Sequence, residues 1–367
     1  MFKTFRKGGA GQFCPEIELL LCCARTCVDA KTAARVKVLL RQDIDLAYLM
    51  RIARRHGLLP LVYWNLHKDY PVPEAVLDQL RGYFRTNTIR NIILTEELIE
   101  ISKLLKTQNI LAIPFKGPLL AVLAYRNLAL REFSDLDLWV HQRDFAAAQA
   151  VLDSRGYRLE VQAPWESCFV RNDGKMAMEV DLHSGITPPD FPLALDFDHL
   201  CERLRHVELS TRIVPTFSPE DLLIILCIQV AKDAWECRNR LLQLCDIRAV
   251  IDSQQTIDWR KLMRQARTMG CQRMVLLGFR LVNELLEASV PMEILQETAA
   301  HRGVETLCQR VRAVLFGAAT TGFPSSFVLR HHAIDRARDR VRHALWYFYF
   351  RKDRALMASP RSLSGHG

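Results

Sequence analysis

Two aspartates separated by a single residue, Asp135 and Asp137, are the pair in this sequence best suited to chemistry. They lie in residues 133–140, where polar and apolar residues alternate, a pattern that predicts a β-strand. Side chains two positions apart on a strand point to the same face, so the two carboxylates can hold a divalent cation between them. Without a cation their negative charges would repel each other.

A third carboxylate comes from residues 175–183, which also alternate. Asp181 lies between two apolar residues, and it faces the same side as the first two aspartates if the strands are aligned. Glu179 is the competing candidate. Either one would complete a site for two metal ions. His183 shares this face and is expected to be a hydrogen-bonded histidine at the strand end, because no second histidine or cysteine accompanies it as a metal ligand.

A turn before the first strand has the composition of a phosphate site. The apolar run 110–115 has the length of a strand and ends at Lys116-Gly117, and Pro118 then opens a short helix. Glycine lets the backbone approach a ligand closely, and free N–H groups at a helix start favour phosphate. Lys116 either binds phosphate or extends to solvent at the strand end. Arg131 either binds phosphate or pairs with a neighbouring carboxylate.

Helical periodicity precedes and follows these segments. Ser218 and Pro219 have the residue types of a helix cap and a first helical position. The main predicted helices are 17–28, 45–55, 74–107, 119–125, 145–154, 221–232, 238–251, 259–269, 272–286 and 304–316. The sequence therefore predicts a small α/β core at 108–215 between an N-terminal helical region at 15–107 and a C-terminal helical domain at 216–320. Residues 1–14 are predicted to be a basic, flexible N-terminus.

Two features of the C-terminal helices stand out. Asp246 lies among apolar residues and is expected to be the structural partner of a buried arginine. A basic and aromatic patch surrounds one helix junction and consists of Lys232, Trp235, Arg238 and Arg240. It either contacts nucleotide or acceptor or is a solvated helix face, and the second interpretation is favoured.

The net charge of +9 lies at the two ends of the chain. Residues 1–10 carry three basic residues and no acid, and residues 330–354 carry eight basic residues against three aspartates. Residues 11–329 therefore carry no net charge. This neutral body argues against a protein that wraps duplex nucleic acid, whose basic residues would extend across the fold. The tail at 321–367 is basic and aromatic. It is expected to contact an anionic membrane surface weakly, to contact RNA, or to pack on the helical domain. Its end is predicted to be disordered.

No apolar run reaches the roughly 18 residues of a membrane-spanning helix. The eleven cysteines show no metal-ligand spacing and are expected to be buried thiols of a reducing compartment. We therefore expect a cytoplasmic protein.

The spaced motifs resemble those of a known family. The Lys116-Gly117 turn, Arg131, Asp135-x-Asp137 and Asp181-Leu182-His183 are similar to the uncharacterised bacterial nucleotidyltransferases of the DNA polymerase beta-like superfamily. The resemblance extends over about residues 15–300 and includes residues 244–251, with the sequence LCDIRAVI, in the C-terminal helical layout. The chain departs from the family at Gly117-Pro118, where Gly-Gly or Gly-Ser is usual.

This resemblance implies an α+β fold, a minimal nucleotidyltransferase core with a small mixed β-sheet and helices. It implies that Asp135, Asp137 and Asp181 ligate two Mg²⁺ ions and that Asp181 helps to deprotonate an acceptor hydroxyl. The residues expected around the triphosphate of a nucleoside triphosphate (NTP) are Lys116, Gly117, Arg131 and Ser134.

The implied activity is transfer of a nucleoside monophosphate from NTP to a hydroxyl of an unknown acceptor, with a small molecule or a protein favoured. Two alternatives remain at this point. One is a catalytically inactive binding or scaffold protein, which Pro118 favours. The other is a toxin-like enzyme that modifies tRNA or protein.

Overall fold

The computed structural model describes residues 13–340, except 173, 175, 188–190, 192, 194, 211, 254–255, 300, 318–325 and 337–338. Residues 1–12 of the predicted basic N-terminus and residues 341–367 of the predicted tail lie outside this range. The fold is α+β, as predicted, with a mixed five-stranded sheet between two groups of helices.

In the described part of the chain five helices precede the sheet, and the fifth is a single 34-residue helix whose bounds match those predicted. They are α1 (Pro15–Cys23), α2 (Ala30–Leu39), α3 (Leu46–His56), α4 (Leu59–Leu66) and α5 (Glu74–Thr107). The predicted helix 17–28 is shorter than expected. It ends at Cys23, and Arg25, two residues later, is 6% exposed and donates a hydrogen bond to Thr32 Oγ1 at 2.7 Å.

The central sheet has the strand order β1-β2-β5-β4-β3. Its strands are β1 (Ala112–Pro114), β2 (Asp135–Val140), β3 (Arg158–Gln162), β4 (Glu166–Asn172) and β5 (Ala177–His183), with α6 (Gly117–Leu123) and α7 (Phe145–Ser154) between them. Strands β2 and β5 are parallel neighbours, and the other pairs are antiparallel. Strand β1 is shorter than the predicted run 110–115.

One face of the sheet is apolar and packs against α5 and α7. Leu136, Leu138 and Val140 of β2 are at most 1% exposed and share a hydrophobic core with residues of those helices. Because successive side chains of a strand alternate between faces, this burial turns Asp135 and Asp137 toward the opposite face. The apolar core therefore fixes which way the predicted site opens.

The remaining elements follow the sheet. A short helix, α8 (Phe197–Cys201), leads to an antiparallel hairpin of β6 (Arg205–Leu209) and β7 (Arg212–Thr216), which the sequence did not predict. The C-terminal helices are α9 (Pro219–Glu236), α10 (Leu241–Ser253), α11 (Trp259–Met269), α12 (Gln272–Leu286), α13 (Met292–Ala299), α14 (Arg302–Phe316) and α15 (Ser326–Ala333). Ser218 caps α9 as predicted, by accepting a hydrogen bond from the Asp221 amide.

Helix α9 lies at the centre of the C-terminal helices. It packs against α10, α11, α12, α14 and α15, and nearly all of its residues are buried. A helix enclosed on every side carries polar residues only where they have partners or line a cavity. The polar side chains of α9 are therefore informative about the site.

None of the described helices combines the length and apolar composition that crossing a membrane demands. The eleven cysteines are all free thiols, and seven of them are buried. The prediction of buried thiols holds for these seven cysteines and is wrong for Cys27 and Cys237, which are exposed.

The end of α3 makes the stability of the fold depend on pH. His56 is 2% exposed, and its Nδ1 accepts a hydrogen bond from the Leu241 amide at 3.3 Å. Burial lowers the pKa of His56 to about 4. Because the unfolded chain takes up this proton near pH 6.5, stability is fully present above that pH and is lost as the pH falls toward 4. The expected loss from this residue is about 3 kcal/mol, at roughly 1.4 kcal/mol per pKa unit.

Urea unfolding at pH 7.5 and pH 4.5 measures this effect. We expect His56→Gln, whose amide oxygen can still accept the Leu241 N–H, to lose less stability between the two pH values than the wild type does. The exposed His206 on β6 provides the control, since His206→Gln should behave like the wild type. An equal loss in His56→Gln and wild type would contradict the prediction.

Candidate active site

The parallel pairing of β2 and β5 brings the predicted carboxylates together. The register places Asp137 directly opposite Asp181, and Asp135 opposite Glu179. Both candidates for the third carboxylate therefore lie on the strand next to the first two. Asp137 is 5% exposed, whereas the other three are half-buried.

Asp137 is the most enclosed of these carboxylates and has two cationic or polar partners. Its Oδ1 accepts hydrogen bonds from Lys116 Nζ at 2.9 Å and from His183 Nε2 at 3.1 Å. Burial alone would raise the pKa of Asp137, but Lys116 and His183 hold it well below its usual range. Asp137 is therefore ionised throughout the physiological range, and His183 is the hydrogen-bonded strand-end histidine that was predicted.

Asp181 experiences the opposite environment. Burial raises the pKa of Asp181 to about 7, together with the carboxylates of Asp137, Asp135 and Glu179. Burial and Asp137 also raise the pKa of Asp135. The cluster therefore has more negative charge than its surroundings neutralise, and this is the electrostatic condition that a divalent cation relieves.

Two sets of donor atoms are compact enough to hold a metal ion. Asp137, Asp181 and His183 form one set, and Cys168, Glu179 and Asp181 form the other, with all donors of a set within 4.8 Å of one another. Mg²⁺ prefers oxygen ligands, which the first set supplies from two carboxylates on neighbouring strands. Among the described residues, Asp135 belongs to neither set, so its role as a metal ligand remains a prediction.

The turn before α6 keeps the backbone close to β2. Gly117 has φ +53°, in the left-handed region, and a Cβ there would lie 3.3 Å from the Asp135 carbonyl oxygen. A side chain at this position would therefore be strained. Pro118 follows in the first turn of α6, as predicted, and lacks the N–H of the residue it replaces in the family pattern.

The guanidinium of Arg131 is paired with Asp246 instead of with Asp135 or Glu132. Its Nε and Nη2 each donate to one Asp246 oxygen at 2.8 Å, and Tyr125 donates to the same carboxylate at 2.7 Å. Arg131 is 6% exposed and Asp246 is 3% exposed. The prediction that Asp246 pairs with a buried arginine is confirmed, and the predicted contact of Arg131 with phosphate stays a prediction.

A cavity of about 200 Å³ opens beside these carboxylates, between β2 and the helices α9 and α10. The predicted residues that line it are Lys116, Arg131, Ser134, Asp135 and Asp137. Its helical side includes Arg240 and Asp246, which the sequence analysis named, and Leu226, Gln229, Asp233 and Gln243, which it did not. The signal for two of these is a glutamine within the apolar run 222–231 of α9 and an aspartate four residues after it. A larger cavity, of about 610 Å³, lies at α11 and α13 and contains no predicted site residue.

The patch at the end of α9 is only partly a solvated helix face. Lys232 is 9% exposed and Trp235 is 4% exposed, so the favoured interpretation is wrong for these two residues, while Arg238 and Arg240 are exposed. Lys232 is buried because it extends toward the sheet, where its Nζ lies 3.8 Å from Glu166 Oε2. The same carboxylate oxygen lies 3.5 Å from His183 Nδ1. Lys232 is thus linked to Asp137 through Glu166 and His183.

Comparison with known proteins gives one family and a distant structural neighbour. The model of a family described as "uncharacterised nucleotidyltransferase" matches residues 42–287. A nucleotidyltransferase-like antigenic protein from Paracoccidioides brasiliensis has 15% sequence identity over 55% of this chain and 96% of its own, with a TM-score of 0.33. No curated protein matches the chain.

Proposed function

Because this chain belongs to the uncharacterised nucleotidyltransferase family, we propose that it transfers a nucleoside monophosphate from NTP to a hydroxyl group of an acceptor, which is a small molecule or a protein. The acceptor oxygen forms a bond to the α-phosphorus, the bond to the bridging oxygen breaks, and pyrophosphate leaves. The reaction needs positioning and charge neutralisation more than covalent catalysis.

The observation that carries this proposal is the register of β2 and β5. It sets Asp137 opposite Asp181 on the face that opens away from the apolar core. The raised pKa of Asp181, caused by burial and by the carboxylates around it, supports a cation in the cluster. These two residues would hold Mg²⁺, with Asp135 beside them as a further ligand. When bound, Mg²⁺ would neutralise phosphate charge and lower the pKa of the acceptor hydroxyl.

The chain's own residues have separate roles in this proposal. Lys116 lines the cavity with a quarter of its side chain exposed and is available to a phosphate. Pro118 removes one backbone donor from the turn, so phosphate binding depends more on Lys116 and on the exposed hydroxyl of Ser134. In this proposal the Asp181 carboxylate also helps to accept the proton of the acceptor hydroxyl.

A binding protein without catalytic activity is the second candidate, and one observation favours it. Asp137 already has Lys116 and His183 as partners, so its charge is satisfied without a metal ion. In that case the site would bind nucleotide, or a partner, without turning it over.

The test is incubation of the purified protein with Mg²⁺ and each of four α-labelled NTPs, with and without cell extract. We expect Mg²⁺-dependent transfer of label to an acceptor, with release of pyrophosphate, and loss of both when EDTA removes the metal. Label transfer distinguishes the two candidates, because Mg²⁺ and NTP raise the thermal stability of either one by binding, but only the enzyme transfers label. Absence of both transfer and stabilisation would contradict the proposal.

A further inference from the structure

Gln229 on α9 is a buried amide whose donor is unused. It is 7% exposed, it lines the cavity beside the carboxylates, and its Nε2 has no hydrogen-bond partner among the described residues. Buried polar groups in folded proteins are nearly always hydrogen-bonded, and leaving one without a partner is destabilising. An unused donor on a side chain that lines a cavity can pair with an acceptor on a ligand.

The polar neighbours of Gln229 already bond with one another. Gln243 Nε2 donates to Asp233, and Gln243 Oε1 accepts from the side chain of Asn239 and the amide of Arg240. The cavity has a second unused polar atom in Glu132 Oε2, which is buried and has no hydrogen-bond partner within the described part of the chain. Gln229 and Glu132 thus offer one buried donor and one buried acceptor without partners among the described residues.

Part of the wall is apolar, although most of the lining residues are polar or charged, and the space is small. Phe133, Leu226 and Leu242 line the cavity and are at most 8% exposed. A volume of about 200 Å³ is below the roughly 300–1,000 Å³ of sites for drug-sized ligands, so it suits a single ring system. A nucleobase that stacks on these three side chains buries its apolar faces, and its edge carries adjacent donors and acceptors that match the two unused polar atoms.

We propose that Gln229 determines which nucleobase this chain accepts, by donating from Nε2 to a ring nitrogen or carbonyl oxygen of the base while Glu132 accepts an N–H from the same edge. The inference rests on the proposed function and extends it to the selection of the NTP. Lys116 and Asp137 line the same cavity, and Lys116 is the expected contact of the phosphate end, whereas Asp137 is the expected ligand of the accompanying Mg²⁺.

The experiment measures the dissociation constants of MgATP, MgGTP, MgCTP, MgUTP and Mg-tripolyphosphate for the wild type and for variants. We expect one base to give the tightest binding. Gln229→Met, which keeps the length and loses the donor, should weaken binding of that nucleotide about tenfold and leave tripolyphosphate binding unchanged. Gln229→Glu replaces the donor with an acceptor and should change the order of preference among the bases. Gln309→Met, on the exposed face of α14, is the matched control and should behave like the wild type.

The ratio of nucleotide to tripolyphosphate affinity within each variant is independent of the fraction that folds. If Gln229→Met and Gln229→Glu keep the wild-type ratios and order of bases, this inference is wrong while the proposed function stands. If the wild type binds neither nucleotides nor tripolyphosphate with Mg²⁺, the proposed function fails and this inference fails with it.

Discussion

Asp137→Asn should reduce Mg²⁺-dependent nucleotidyl transfer by at least about a hundredfold, the order of loss when a key electrostatic group leaves an active site. The change keeps the size of the side chain and removes the negative charge. Asp137 is the carboxylate that lies opposite Asp181 on the neighbouring strand. It accepts hydrogen bonds from both Lys116 and His183. An amide can still accept one of these hydrogen bonds, but it is a poor ligand for Mg²⁺ and leaves the charge of Lys116 without its nearest counterion.

Two measurements check this prediction. The first is label transfer from NTP, and the second is the rise in melting temperature with Mg²⁺ and NTP, which should also disappear. Glu160→Gln is the matched control, because it makes the same chemical change at an exposed carboxylate on edge strand β3 of the same sheet. Transfer by Asp137→Asn at more than a tenth of the wild-type rate would show that this carboxylate is not the essential one.

The local features of this fold follow from local sequence signals. Alternation in residues 133–140 predicted β2 and the shared face of Asp135 and Asp137, because strand periodicity is independent of the partner strand. The cap at Ser218 and the 34-residue helix α5 were likewise predicted from neighbouring residues. The expectation that Asp181 lies near Asp137 depended on an assumed alignment, which the parallel register supplies.

The features that were missed depend on distant parts of the chain. The hairpin of β6 and β7 has no strong alternation, and its second strand lies beside β1, about a hundred residues earlier. Two roles stayed open for Arg131, because its partner Asp246 lies more than a hundred residues away. Gln229 resembled any polar residue of a helix until the packing of α9 showed that its amide is enclosed and unpaired. Long-range pairing and burial are properties of the assembled fold, so the periodicity of the sequence does not reveal them.

The buried group of Arg131, Asp246 and Tyr125 should be the most sensitive point for stability. It ties α10 to the segment between α6 and β2, and so holds the helical side of the cavity against the strand that bears the carboxylates. Asp246→Leu leaves the arginine charge buried without a partner and the tyrosine hydroxyl without its acceptor. Removing one partner of a buried ion pair typically destabilises a protein by about 3–5 kcal/mol, and we expect a loss in that range from urea unfolding.

A double variant and a control separate the buried charge from general damage to α10. Arg131→Met with Asp246→Leu removes both charges and should recover most of the lost stability, because apolar residues of similar volume replace buried ion pairs well. Asp252→Asn breaks a partly exposed ion pair with Arg248 on the same helix and should cost less than about 1 kcal/mol. If the double variant is as unstable as Asp246→Leu alone, the destabilisation comes from lost packing or from Tyr125, and the unpaired arginine is not its cause.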